Sequence, residues 1–235
     1  MTVAESRLLT RQTLRTLPSK LLRKGSSFDP DIYIYCVGGE EIVVKDFLRK
    51  DLWTRNLYGR VSLRREAKAL ERLLGVSGVP QYRGRPDAFS VAMTYVPSSS
   101  VSPLISARRG NESFIRELEQ IIAAMHARGV FHLDLKHRTN LHVTRDGHPV
   151  VLDFTSSVCI NLHWFGGRLA AKLFVPGDRI ALRKWKRQLA PEMLTDREKR
   201  RAEFERSLRK LWLPRHLTDA LAVLLRRIDK WVHGK

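Results

Sequence analysis

The apolar and polar positions of residues 31–47 are typical of paired strands. The stretch DIYIYCVGGEEIVVKDF contains two β-rich runs separated by Gly38-Gly39, and this arrangement predicts a β-hairpin. Residues 60–74 have a helical period, which predicts one apolar face formed by Leu63, Ala67, Leu70 and Leu74. Phe89–Val96 is predicted to be a further strand. The first part of the chain is therefore expected to be β-rich with one helix.

The pattern changes after the segment Pro97-Ser-Ser-Ser100, which is predicted to be a connector. Residues 111–128 carry an apolar helical stripe that Gly129 is expected to end; its members are Phe114, Leu118, Ile121, Ile122 and Met125. Leu141–Val143 and Pro149–Phe154 flank the turn-forming Asp146-Gly147 and predict a second hairpin. From about residue 177 to residue 233, helical patterns alternate with breaks at Pro191 and Pro214.

This order of elements predicts an α+β protein. With 235 residues, the chain is long enough for one large domain or two small lobes. We place the boundary between residues 1–96, an N-terminal extension with a β-rich lobe, and residues 97–235, a mostly helical lobe. A hydrophobic fraction of 43% and a charged fraction of 29% are ordinary for a globular protein.

The charge is strongly positive, because 43 Lys and Arg residues face 24 Asp and Glu residues, a net charge of +19. Such an excess favours contact with polyanions: nucleic acid, an anionic membrane leaflet or a phosphorylated substrate. No stacking-aromatic motif accompanies it, so a nucleic-acid partner is disfavoured. The basic residues are spread along the chain, which excludes a simple basic tail.

Cysteines and apolar runs add few constraints. Cys36 and Cys159 form no CxxC or Cys/His cluster, which argues against a disulfide scaffold or a zinc site. No stretch has the length of a signal-peptide core or the ~20 apolar residues that cross a bilayer. We therefore expect a cytoplasmic protein.

Two short segments carry residues suited to phosphoryl transfer. The first is VFHLDLKHRTN, which contains Asp134 and Asn140, and the second is VVLDFT, which contains Asp153. Phosphoryl transfer needs metal ligands that neutralise the phosphates, a carboxylate at the attacking hydroxyl and rigid positioning. These three side chains are able to supply those groups.

These segments resemble the motifs of the protein-kinase-like family. HLDLK, with Asn140 following, resembles the H-R-D-L-K…N catalytic loop, and Asp153-Phe-Thr resembles D-F-G. The resemblance implies a two-lobed fold and the use of ATP and Mg²⁺. It also implies that Asp134 accepts the hydroxyl proton, that Lys136 lies near the transferred phosphoryl group, and that Asn140 and Asp153 hold the metal.

The resemblance extends towards the N-terminus. EIVVKD resembles the V-A-I-K strand, which implies that Lys45 binds the α- and β-phosphates. Glu66 is then the helix glutamate that pairs with Lys45, with Glu71 as the alternative. AMTYV resembles the nucleotide hinge, with a gatekeeper at Met93 and adenine contacts from the backbone of Thr94 and Val96.

The chain departs from the family pattern at several points. The glycine-rich loop is replaced by KGSSF, in which Gly25, Ser26 and Ser27 are expected to cradle phosphate, as in the RIO-type kinases. Leu133 replaces the catalytic-loop arginine, which argues against activation by phosphorylation, and Thr155 replaces the D-F-G glycine. Asn140 lies six residues after Asp134 instead of five, which implies a one-residue bulge.

Within this superfamily the chain resembles the bacterial lipopolysaccharide-core kinases, through KGSSFDPD, HLDLKHRTN and GDRIALRKWKRQLAPEMLT. This implies an acidic, lipid-linked sugar acceptor, Kdo or heptose, and a reduced helical second lobe. A RIO-like protein Ser/Thr kinase and a pseudokinase scaffold are the alternatives. Arg183–Arg187 is typical of a solvated helix face, but Trp185 and the amphipathic residues 211–232 favour an anionic membrane surface, on the inner face of the inner membrane.

Overall fold

A computed structural model describes residues 9–107 and 112–200 of the chain. Its contacts form two units, Met1–Pro191 and Glu192–Lys235. The described part of the second unit contains a helical segment at residues 196–200 that begins with a capping box. Thr195 and Glu198 form it, since each side chain accepts the other's backbone N–H, at 3.2 and 3.0 Å.

An antiparallel sheet of five strands dominates the N-terminal part of the first unit. The strands are β1 (Ser19–Arg23), β2 (Asp31–Val37), β3 (Glu40–Asp46), β4 (Tyr82–Gly84) and β5 (Ser90–Thr94). The strand order of the sheet is β1-β2-β3-β5-β4, and helix α1 (Arg11–Thr16) precedes the first strand. The predicted β2–β3 hairpin is confirmed. Gly38 and Gly39 both have positive φ, 57° and 83°, as a tight two-residue turn between strands requires.

The alternation of side chains along β3 gives the sheet two different faces. Ile42 and Val44 are buried on one face, in a cluster with Leu14 of α1, Tyr35 and Ala92. Lys45 is the next residue, so its side chain lies on the opposite face. Lys45 is nevertheless buried, with 8% of its surface exposed, because α2 covers that face.

The helix beside the sheet consists of a π-helical segment (Thr54–Gly59) that continues into α2 (Arg60–Arg72). Leu63, Ala67 and Leu70 are buried on it, as predicted. The prediction for Leu74 is wrong, since this side chain is 49% exposed and Leu73 is fully buried instead. The reason is that α2 ends at Arg72 and the chain turns at Gly75, where φ is 77°, so the helical period no longer applies.

Shorter strands organise the second half of the first unit. Their bounds are β6 (Ser98–Ser100), β7 (Val130–Phe131), β8 (Leu141–Thr144), β9 (Pro149–Val151) and β10 (Val158–Cys159). They form a three-stranded sheet, β6-β8-β9, and a β7–β10 pair. The predicted β8–β9 hairpin is confirmed. Ser98–Ser100 is a strand and not a plain connector, because its backbone pairs with β8. β9 ends at Val151, so Asp153 lies after the strand and not in it.

Three helices accompany these strands: α3 (Ser102–Ala107), α4 (Glu112–Ala127) and α5 (Gly167–Leu189). The predicted apolar stripe of α4 is buried, and the chain leaves α4 at Gly129 with φ 69°. α5 begins ten residues before the predicted helical region, and Pro176 lies inside it without ending it. Pro214 and residues 211–232 lie outside the described residues.

The protein therefore has an α+β architecture, as predicted. The chain leaves the five-stranded sheet at Thr94 and enters the three-stranded sheet at Ser98, and the division into residues 1–96 and 97–235 stays a prediction. Within residues 9–107 and 112–200, no helix combines the length and the apolar character needed to cross a membrane.

Candidate functional site

Lys45 lies at the centre of a group of charged residues contributed by three elements. Its Nζ lies 2.7 Å from Glu66 Oε1 on α2 and 3.0 Å from Asp153 Oδ1, which follows β9. The Lys45 ammonium group thus joins Glu66, which is 21 positions away along the chain, to Asp153, which is 108 positions away. Glu71 is exposed, so the structure selects Glu66 over Glu71 as the partner of Lys45.

The electrostatics of this group favour an ionised lysine and an ionised aspartate. Burial of the Lys45 ammonium disfavours its charge, but attraction by Glu66 and Asp153 outweighs burial and raises the pKa of Lys45 above its ordinary value. The positive charge of Lys45 is the main cause that holds the pKa of Asp153 well below its usual range, and burial opposes it. Asp153 is thus a carboxylate at every physiological pH.

Glu66 also ties α2 to the segment that carries Asp153. Its Oε1 accepts the backbone N–H of Phe154 at 3.2 Å, in addition to the bond from Lys45. Glu66 is fully buried, and its Oε2 accepts no hydrogen bond from any described residue. Asp153 has a positive φ of 64°. With this backbone conformation its carboxylate lies beside Lys45, and the next side chain, Phe154, is fully buried.

The loop at residues 132–140 is built around a buried histidine. His132 Nε2 lies 3.0 Å from the Leu152 carbonyl, and its Nδ1 accepts the Asp134 N–H at 3.3 Å. Because a carbonyl only accepts and an amide only donates, these two bonds require the neutral Nε2–H form. Burial lowers the pKa of His132, against the attraction of nearby carboxylates, and so favours this neutral form.

A second buried carboxylate holds the same loop from α5. Asp178 is fully buried; its Oδ2 accepts the His132 N–H at 3.0 Å and its Oδ1 accepts the Leu133 N–H at 2.8 Å. His126 Nε2 of α4 lies 2.8 Å from Asp178 Oδ2. Leu133 has an unfavourable positive φ of 64°, which these two amide bonds stabilise. We did not predict this role of Asp178 from the sequence.

Asp134 lies at the end of this loop, and Asn140 contacts it. Asn140 Nδ2 lies 3.0 Å from both the backbone carbonyl and the Oδ2 of Asp134. His137 Nε2 lies 3.2 Å from Asp134 Oδ1. Arg138–Asn140 forms a 3₁₀ turn, and the one-residue bulge that the resemblance implies stays a prediction. The six-residue spacing thus leaves Asn140 in contact with Asp134.

A group of cations is associated with the loop that carries Asp134. Lys184 Nζ donates to the Lys136 carbonyl, and its ammonium lies 4.5 Å from the Trp185 ring centroid. Burial lowers the pKa of Lys184, and Arg138, Arg187 and Lys136 lower it further by repulsion. In the part of the chain that the structure describes, none of these four side chains forms a salt bridge. We call Lys136, Arg138, Lys184 and Arg187 the cation cluster.

The expected membrane role of Trp185 is wrong. Trp185 is fully buried, and its Nε1 donates to the Leu135 carbonyl at 2.8 Å. Lys186, the next residue, is also buried and pairs with Glu119 at 2.7 Å. Trp185 thus supports the loop that carries Asp134, because an indole N–H inside a protein requires an acceptor.

The segment expected to cradle phosphate is closed by its own acidic residues. The Gly25 amide donates to Asp31 Oδ1 at 2.9 Å, and the Ser26 hydroxyl donates to Asp29 Oδ2 at 2.7 Å. Lys50 Nζ crosslinks the segment, at 2.9 Å from both the Gly25 carbonyl and Asp31 Oδ1. In this conformation the Gly25 amide and the Ser26 hydroxyl are therefore not free to bind phosphate, whereas Ser27 forms no such bond with a described residue.

The predicted hinge residues lie at the end of β5. Met93 is buried and pairs with Val43 of β3. The Thr94 N–H donates to the Gln81 carbonyl at 2.9 Å, so this amide is not free for adenine. Val96 borders a cavity of about 570 Å³ with Gly78, Ile121 and Val150. None of Lys45, Glu66, Asp134 and Asp153 lines that cavity, so we do not assign it to the candidate site.

The described residues contain no group of three or more His, Cys, Asp or Glu side chains placed to hold a metal ion. A comparison with protein-family models finds no match, and a comparison with curated proteins finds none either. The function is therefore argued from the geometry of the site.

Proposed function

We propose that this protein is an ATP- and Mg²⁺-dependent phosphotransferase with a two-lobed, protein-kinase-like fold. The observation that carries the proposal is the ion pair of Lys45 with both Glu66 and Asp153, at 2.7 and 3.0 Å. A lysine aligned by a helix glutamate, next to a carboxylate able to bind Mg²⁺, is the arrangement that binds nucleotide phosphates in protein kinases. The antiparallel sheet with α2 on one face and the helix-rich part after β5 support the proposed fold.

The residues present fit a metal that is held largely by the nucleotide. Mg²⁺ is commonly bound by one or two protein oxygens together with phosphates and water, so a cluster of three protein ligands is not required. Asp153 Oδ1 accepts from Lys45 and Thr155, and its half-buried side chain leaves Oδ2 for a cation. Asn140 Oδ1 accepts from Thr139 and, among the described residues, from no other donor, so it retains a second lone pair. When bound, Mg²⁺ would neutralise charge on the phosphates.

In the proposed reaction, Lys45 binds the α- and β-phosphates and Asp134 orients the acceptor hydroxyl. The hydroxyl oxygen forms a bond to the γ-phosphorus, the bond from phosphorus to the β-phosphate oxygen breaks, and ADP leaves. The hydroxyl proton passes to Asp134, and Lys136 lies near the transferred group. Asn140 and His137 fix the Asp134 carboxylate from both sides, which holds the base in position.

The cation cluster supports an anionic acceptor. Lys136, Arg138 and Arg187 repel Lys184, and none of these four side chains forms a salt bridge with a described residue, so an anion near Lys184 would reduce the repulsion. We therefore propose a sugar hydroxyl of an acidic, lipid-linked acceptor, the Kdo or heptose of lipopolysaccharide core, at the cytoplasmic face of the inner membrane. A protein hydroxyl, as in RIO-like kinases, is the alternative outcome of the test below.

One observation favours a pseudokinase scaffold as the second candidate. Gly25 and Ser26, which would contact the nucleotide phosphates, are bonded to Asp31 and Asp29. In this conformation, negative charge lies where phosphate would bind. Phosphate binding then requires this segment to rearrange, and a scaffold would not require it.

The test is transfer of labelled phosphate from ATP to purified lipopolysaccharide core and, separately, to a protein mixture. We expect label in the core, and a loss of about 10²- to 10⁴-fold in Asp134→Asn, because this variant has no base. Asp146→Asn, on the exposed β8–β9 turn, is the matched control and should keep full activity. Label only in protein would replace the sugar acceptor with a protein, and no label in either would favour the scaffold.

A further inference from the structure

The segment just before α2 exposes large apolar side chains to solvent. Trp53 is 81% exposed and Leu57 is 70% exposed, which is unusual for residues of this size on a well-packed element. Together with their neighbours they form one surface, which we call the Trp53 patch: Phe28, Leu52, Trp53, Leu57, Tyr58 and Val61.

The patch is a continuous face. Trp53, Leu57 and Val61 are four residues apart, which is close to one turn of both the π-helical segment and α2, so they lie on nearly the same side of the helix. The Phe28 ring meets the Tyr58 ring edge-on at 6.2 Å, which brings the segment before β2 into the same surface. The inner side of this helix is packed: Arg55 lies over the Phe89 ring at 5.1 Å, and Thr54 and Gly59 are buried.

The close packing below fixes the patch in place. A Cβ on Gly59 would lie only 2.8 Å from the Phe47 ring, so glycine allows the helix to lie directly on Phe47. Tyr58 contacts the same ring at 6.1 Å. The outward direction of Trp53 and Leu57 is therefore set by a well-packed inner face.

Exposed cations border the patch. Arg49 precedes it, and Arg64, Arg65 and Lys68 follow it on α2. Among the described residues, none of these four forms a salt bridge. Asp29 and Asp51, which adjoin Phe28 and Leu52 in the sequence, are exposed carboxylates, whereas Glu66 is buried and pairs with Lys45. With four exposed cations and two exposed carboxylates, the patch and its rim carry a net positive charge, which favours an anionic surface.

We propose that the Trp53 patch docks the protein on an anionic lipid bilayer. Tryptophan and tyrosine favour the headgroup level, leucine and phenylalanine favour the acyl boundary, and lysine and arginine bind anionic headgroups. The patch and its rim contain all three classes on one helix. The proposal stands apart from the proposed reaction, because docking needs neither nucleotide nor acceptor. Its link to that reaction is that Glu66 lies on the same helix, five residues after Val61.

The test is co-flotation of the full chain with vesicles. Equal parts of phosphatidylcholine and phosphatidylglycerol are compared with phosphatidylcholine alone, and no nucleotide is added. We expect binding to the anionic vesicles that weakens as salt is raised. Trp53→Ser/Leu57→Ser should reduce the vesicle affinity at least about tenfold, because the apolar insertion is lost. The matched control is Leu21→Ser/Leu22→Ser, two half-exposed leucines of β1, and it should bind as the wild type does.

Quenching of tryptophan fluorescence by brominated lipid gives a second readout, and the quenching should fall in Trp53→Ser. Unchanged melting temperatures would show that the variants are folded. Three results would overturn the proposal. These are no flotation of the wild type, equal flotation of the Trp53→Ser/Leu57→Ser variant, and a dimer in vesicle-free sedimentation that this variant dissociates. The last result would assign the patch to a second copy of the chain.

Discussion

Two lysines near the candidate site have opposite surroundings. Lys45 is buried between Glu66 and Asp153, and their attraction raises its pKa. No described carboxylate forms a salt bridge with Lys184; burial and three neighbouring cations lower its pKa. The first lysine has its counter-charges within the protein, whereas the second has none among residues 9–107 and 112–200. The comparison separates a lysine that the protein pairs with two carboxylates from a lysine that it surrounds with other cations.

The largest expected difference concerns stability. Lys45→Met leaves the fully buried Glu66 without its counter-charge, and we expect the free energy of unfolding to fall by about 3 kcal/mol. Lys184→Met removes repulsion between cations and breaks no ion pair among the described residues. Its free energy of unfolding should therefore differ from that of the wild type by no more than about 0.5 kcal/mol. Urea unfolding of both variants measures the difference. Equal losses would show that the two lysines are not distinguished by their surroundings.

A smaller effect is expected on binding of the acceptor. Lys184→Gln should raise the KM for lipopolysaccharide core about tenfold with kcat unchanged, because it removes one charge-assisted contact that is made in the ground state. Lys172→Gln, an exposed position on the same helix, is the control. A fall in kcat with no change in KM would place Lys184 at the transferred phosphoryl group instead.

The smallest expected effect is the pH dependence of the free energy of unfolding, and its sign differs between the two lysines. The folded-state pKa of Lys184 lies below its ordinary value of 10.5, so the unfolded state binds more protons as pH approaches 10.5, and this residue makes stability rise with pH. The folded-state pKa of Lys45 lies above 10.5, so its contribution is complete below that pH and is lost only above it. Urea unfolding of the wild type, Lys184→Met and Lys45→Met at about pH 8 and about pH 10 measures both contributions.

Between about pH 8 and about pH 10, the stability of the wild type relative to Lys184→Met should increase. Its stability relative to Lys45→Met should not increase. A relative decrease for Lys184 over this range would contradict the lowered pKa and the repulsion that explains it.

The sequence predicted the residues of the site that belong to short, ordered motifs. Lys45, Glu66, Asp134 and Asp153 were predicted from the resemblance of short segments to protein-kinase-like motifs, and the structure brings Lys45, Glu66 and Asp153 together. Asp178 was not predicted, because its partners lie 45 and 46 residues before it and a single aspartate in a basic helix carries no local signal. Trp185 was misinterpreted for a related reason, since a mixed basic and aromatic pattern does not tell which side of the helix is buried.

Conformation limited the other predictions. KGSSF has the composition of a phosphate-binding loop, but the sequence does not show that Gly25 bonds to Asp31. Leu74 has the correct period for the buried face of α2, but the helix ends two residues before it. The Trp53 patch was not predicted, because no element was assigned to residues 48–59, where the structure has a helix.

The central claim is that Lys45, Glu66 and Asp153 form the binding site for Mg²⁺ and nucleotide phosphate. Calorimetric titration of the wild type, Asp153→Asn and the exposed control Asp196→Asn with ATP, in Mg²⁺ and then in EDTA, tests it most directly. We predict that the wild type and Asp196→Asn bind ATP more tightly with Mg²⁺, and that Asp153→Asn loses this gain, because its amide cannot replace the ionised carboxylate. Equal affinities for all three proteins in both buffers would contradict the claim.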